Sequence, residues 1–118
     1  MNNGGDLLAV QATQSGVYIT RVVPSKILDE LQISTMGEQL SKLVDDGARK
    51  LVIDFSAVDH LTSSALGMLI RLRQNMAAVK GALRLCNIRP EIYQIFKITG
   101  LDKMFSIYPT ATDALASF

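Results

Sequence analysis

Apolar and polar positions alternate in some stretches of the chain and recur every three or four residues in others. Leu7 to Thr13 and Val17 to Val22 are strand-like, and Gln14-Ser15-Gly16 between them has turn chemistry, so the chain opens on a predicted β-hairpin. Residues 23–34 fit no single period: Pro24 breaks structure, and Ile27, Leu28, Leu31 and Ile33 are irregularly spaced. Thr35 and Glu38 stand at capping-box spacing, Met36, Leu40, Leu43 and Val44 then mark a helical face, and Gly47 lies just past its end. Leu51-Val52-Ile53 is an apolar run the length of a short buried strand, within Leu51 to Phe55, and Asp54 ends it. Ala65, Leu69, Leu72, Met76 and Val79 predict a helix from about Ser64 to Val79, closed by Gly81. Leu83 to Cys86 is another short apolar strand. Pro90 suits a helix's first turn, Ile92, Ile95, Phe96 and Thr99 give its face, and Gly100 ends it. Phe105 to Tyr108 is a final strand, and Pro109-Thr110 opens a last helix, with Asp113 at capping-box spacing from Thr110.

Strands alternating with helices predict a single α/β domain over residues 7–118: a mixed β-sheet with an opening hairpin and helices packed against it. Residues 1–6 read as a flexible tail. At 118 residues the chain is long enough to bury a real core. A net charge of +1, scattered basic residues and 6% aromatics give no reason to expect nucleic acid or an anionic membrane as partner. One cysteine, Cys86, excludes an intramolecular disulfide and the usual Cys-rich zinc sites, and its apolar context reads as core. The N-terminal stretch has no basic and apolar regions of a secretion signal, and Arg71 interrupts the longest candidate membrane span, so the expected location is the cytoplasm.

The candidate chemistry lies where the central strand hands over to the longest predicted helix. Thr62, Ser63 and Ser64 are consecutive hydroxyl residues at that helix's start. Unsatisfied N–H groups and the positive end of the helix dipole make the place favourable for phosphate. From position alone, Ser63 reads equally as an N-cap, although a cap needs only one hydroxyl. Thr62 and Ser64 read as caps and partner contacts rather than acceptors. Asp54 at the strand end, with Ser56 in the same turn, reads as a structural turn rather than a catalytic acid. His60, the only histidine, has no orienting carboxylate placed by spacing other than its neighbour Asp59, and reads as a loop residue near an interface. Met68 reads as lining a partner groove, less securely apolar core than Leu66. No Gly-rich phosphate loop, paired-carboxylate site or metal-ligand cluster occurs, so no catalytic residue, metal or cofactor is expected.

Two stretches resemble the STAS domain family, which includes bacterial anti-sigma-factor antagonists and the cytoplasmic domains of sulphate transporters. LVIDFSAVDHLTSSALGMLIRL, from Leu51, resembles the family's strand, Asp-x-Ser turn, Asp-Ser-Ser-Gly loop and following helix. ITGLDKMFSIYPTATDAL, from Ile98, resembles its closing segment. In antagonist members the first Ser of Asp-Ser-Ser-Gly is phosphorylated by a partner that is both anti-sigma factor and serine kinase; the matching residue is Ser63. The resemblance implies a protein that binds that partner when unphosphorylated, frees a sigma factor, and loses the partner on phosphorylation. It also admits a STAS interaction subunit of a transport or signalling complex that is not phosphorylated. Two positions depart from the pattern, Thr62 for the family's Asp and Ala65 for its Gly. The Asp that antagonists carry after the second strand is left unassigned between Asp29 and Leu28. Met-rich helix faces allow a weak homodimer without requiring one.

Overall fold

The computed structural model describes residues 7–118; the expected tail, residues 1–6, lies outside them. Five strands form the main sheet: β1 (Leu8–Ala12), β2 (Val17–Val22), β4 (Lys50–Asp54), β6 (Ala82–Cys86) and β7 (Ser106–Tyr108), in the order β1-β2-β4-β6-β7. β1 and β2 are antiparallel, and every other pair is parallel, so the sheet is mixed as its alternating elements predict. The hairpin turn closes through Gly16 at φ +84°, and the Val17 N–H donates to Thr13 Oγ1 at 3.0 Å. A second sheet is only two residues wide: β3 (Lys26–Ile27) runs parallel to β5 (His60–Leu61).

Side chains of the central strands alternate between two cores. Leu51, Ile53, Leu83 and Leu85 face the large core, under α1 (Glu30–Asp45), α2 (Ser63–Ala78) and α3 (Pro90–Ile98). Val17, Val52 and Cys86 point the other way, where α4 (Ala111–Ala116) covers them with Ala114. Between α3 and β7 the chain makes a 3₁₀ turn, Leu101–Lys103, that starts from Gly100 at φ +77°.

Two expectations are corrected. The first helix begins at Glu30, so Thr35 lies inside it and caps nothing. The cap is Asp29, whose Oδ1 accepts from the N–H groups of Leu31 (2.7 Å) and Gln32 (3.4 Å). Its buried face is Ile33, Met36, Leu40 and Val44; Leu28 and Leu31 are exposed and blur the period. His60, expected in a loop, belongs to β5. Two paired residues are too short to show alternation, and their pairing is with a segment over thirty residues away in sequence.

Candidate functional site

The site is built at the carboxyl end of β4, where the starts of α1 and α2 lie beside one another. Asp54 closes the first turn after the strand: its Oδ1 accepts from the Ser56 N–H at 2.8 Å and from Asn87 Nδ2 at 3.2 Å. The Ser56 carbonyl in turn accepts from Arg89 Nε at 3.1 Å, so this turn is tied to the start of α3. Beneath it the Cys86 thiol is fully buried, and burial, then the nearby Asp54 charge, push its pKa up to about 12. It is a neutral core group with no thiolate to offer.

The chain then passes through the β3–β5 pair. The N–H groups of Asp59 and His60 donate to the Ser25 carbonyl, and the Thr62 N–H donates to the Ile27 carbonyl at 3.2 Å. Asp59 Oδ1 sits 2.6 Å from His60 Nδ1 and 3.6 Å from Lys26 Nζ. The hydrogen bond from His60 holds the Asp59 carboxyl below its ordinary value; burial opposes this and the Lys26 charge reinforces it. His60 is exposed.

The three hydroxyls take three different positions. Thr62 is the N-cap of α2, and its Oγ1 accepts from the Ala65 N–H at 3.3 Å. Ser63 is the first helical residue; its side chain is exposed and makes no hydrogen bond among the described residues. Ser64 Oγ donates to Glu30 Oε1 at 2.8 Å, joining the first turn of α2 to the first turn of α1. The capping role that position alone offered Ser63 therefore falls to Thr62. Ser63 stands over the first N–H groups of α2, which have no acceptor within the helix. The first turn of α2 carries no acidic residue to occupy that positive end.

Met68 is buried in the large core and forms the floor of a groove between α1 and α2 instead of standing on the surface. It is brought near Gly37, where an added Cβ would lie 3.1 Å from Met68 Cγ. Leu66 is buried, in line with its reading as apolar core. Thr62, Ser63, Ser64 and His60 are thus gathered at one end of the domain, with Asp54 and Ser56 in the turn that leads there.

The start of α1 was missed by periodicity. It adds Asp29 and Glu30 to the site, with Leu28 and Leu31 exposed beside them at 51% and 75%. A local signal existed. Asp29 and Gln32 have the spacing of an N-terminal box, and Gln32 Oε1 accepts from the Leu28 N–H at 3.2 Å. Among the described residues no group of three or more His, Cys, Asp or Glu is placed to hold a metal ion, and no helix is long and apolar enough to cross a membrane.

Comparison with known proteins agrees with this architecture. The STAS domain family profile matches residues 11–114. A Bordetella bronchiseptica protein provisionally named as the anti-sigma factor antagonist BtrV is 25% identical over 92 residues, 78% of this chain and 79% of that protein. The crystal structure of an anti-sigma factor antagonist from Mycobacterium paratuberculosis superposes with a TM-score of 0.81 at 30% identity, covering 93% of this chain and 91% of that one. The Bacillus cell fate determinant SpoIIAA in its phosphorylated form shares the fold with a TM-score of 0.71 at 17% identity, over 93% and 97% of the two chains.

Proposed function

The chain belongs to the STAS domain family, and from that premise we propose that it is an anti-sigma-factor antagonist switched by phosphorylation of Ser63. In this reading the unphosphorylated protein binds an anti-sigma factor that is also a serine kinase, and so releases a sigma factor. The observation that carries it is the state of Ser63: exposed, uncommitted, and first in a helix whose neighbouring residues supply the cap. Thr62, Ser64 and His60 form the contact surface around it, and Met68 supports that surface from below.

A phosphate adds about −1.5 to −2 charges. On Ser63 it meets the N–H groups and dipole of α2, so the domain accommodates it. On the partner's side the same charge must be desolvated against a surface shaped for a neutral hydroxyl. Glu30, bonded to Ser64, adds negative charge nearby. A differential effect of ~3 kcal/mol changes affinity about a hundredfold. The fold survives and the interface is lost.

The test is intact-mass and peptide mapping of the protein incubated with ATP and the anti-sigma kinase encoded near it. One phosphate on Ser63, absent from Ser63→Ala, is expected. A folded protein that binds the partner yet takes up no phosphate overturns the switch. That outcome would favour the second reading, an interaction subunit without phosphorylation, for which Thr62 and Ala65 at the family's Asp and Gly positions speak.

A further inference from the structure

We propose that the opposite end of the domain carries a second docking site, for an acidic, apolar-bearing segment of a partner protein. The site is a cleft of about 260 Å³ where the end of α2 meets the start of β6 and the 3₁₀ turn before β7. Arg73 and Arg84 line it, and Met76, Leu83, Met104 and Phe105 supply apolar walls. It lies near the far end of the 16-residue α2 from Ser63, roughly 20 Å away at 1.5 Å per residue.

Charge identifies the occupant. Arg73 is held by one bond, Nε to the Met104 carbonyl at 2.6 Å; Arg84 borders the cleft but its guanidinium turns to the α4 side, where Nε donates to Ser117 Oγ at 2.8 Å and the group stacks 4.7 Å over the Phe118 ring. The Arg73 guanidinium has no carboxylate partner among the described residues, and no acidic residue lines the cleft. Residues 71–84 and 97–106 together hold six Lys and Arg against one acid, Asp102. The adjoining turn between α1 and β4 adds Asp45, Asp46, Arg49 and Lys50, two of each sign, and leaves the excess unchanged. The Ser63 end, by contrast, sets Asp29, Glu30, Asp54 and Asp59 against Lys26 and Arg89, without a basic excess. Arg terminal nitrogens are matched to carboxylates.

Size and apolar exposure refine the choice. Whole small-molecule ligands occupy pockets of about 300–1,000 Å³, so this cleft suits one or two inserted side chains better than a free metabolite. Met104 at its rim is 38% exposed, and Ile98, just before the 3₁₀ turn, is 83% exposed. These offer an apolar landing beside the cations.

The test is a titration of the isotope-labelled chain with a short synthetic peptide of Glu, Asp and Leu, followed by amide chemical shifts. The controls are the same peptide with Ser for Leu, and sodium phosphate. Shifts confined to residues 73–84 and 97–106 are expected, with affinity reduced about tenfold or more by Arg73→Ala. Met104→Glu, at the exposed rim, should weaken binding as well while leaving the spectrum of a folded domain. Ser63→Ala should leave the titration unchanged, which separates this proposal from the kinase-dependent switch. Absent shifts, or an unaltered affinity in both Arg73→Ala and Met104→Glu, overturn it. Equal binding of the Ser-containing peptide reduces the site to bare electrostatics, and equal shifts with phosphate make it a small-anion site; either result overturns the proposal too.

Discussion

Thr20 sits in β2 on the same side of the strand as Tyr18 and Val22, which pack into the large core, and is fully buried; its Oγ1 has no hydrogen-bond partner among the described residues. A hydroxyl buried in this way costs desolvation that no bond returns. Thr20→Val keeps the shape and removes the hydroxyl, so it should stabilise the domain by about 1 kcal/mol in denaturant titration. Asp59 is a different case, an ion-paired surface residue. Its carboxyl is held below 3.8, foremost by His60. A carboxylate pKa lowered by folding contributes stability that is present above the unfolded value and lost as pH falls through the folded one. His60→Ala should move the Asp59 titration, followed by carboxyl NMR, upward toward 3.8, and the folded protein should then lose this contribution at a less acid pH. Asp54 was legible as a turn residue from the sequence. The Asn87 side chain that shares its Oδ1 was not, because that contact spans 33 positions.

At the scale of elements, the starts of α1 and α2 depend on single side chains. Asp29→Ala removes the acceptor for two N–H groups of α1 and should cost about 1 kcal/mol, read as a lower melting temperature. Because Glu30 in the same turn holds Ser64, this variant should also disturb the amide resonances of Ser63 and Ser64. The other end of α2 is constrained by close approach. A Cβ on Gly81 would lie 2.8 Å from Met76 Cε and 3.0 Å from the Arg49 carbonyl oxygen. Gly81→Ala should therefore destabilise by ~1–3 kcal/mol, since the backbone at Arg49, just before β4, cannot give way as the Met side chain can. The helix of α2 was legible because its apolar stripe runs for several turns. The start of α1 was not, because exposed Leu28 and Leu31 add apolar residues off the buried face and the Thr35–Glu38 pair imitates a cap.

Across the whole molecule, one core links the sheet with three helices, and Phe96 lies near its centre. It is fully buried and meets Phe105 edge to face, with ring centroids 6.1 Å apart. Phe96→Ala should cost ~3–5 kcal/mol. Against a typical stability of about 5–15 kcal/mol this is a large share, and α3 should lose its structure together with the sheet in a single denaturant transition. What the sequence determined by itself were the properties that act over a few residues: the hairpin, the β4 strand, the α2 stripe, and three hydroxyls at a helix start. Sheet order, the β3–β5 pair, the bond from Ser64 to Glu30 and the unpaired cations around Arg73 were decided only by tertiary structure. Each brings together residues more than twenty positions apart or leaves a charge without a partner, and hydrophobic periodicity carries no record of such pairings. It reports which side of an element is buried, whereas long-range packing selects what that side meets.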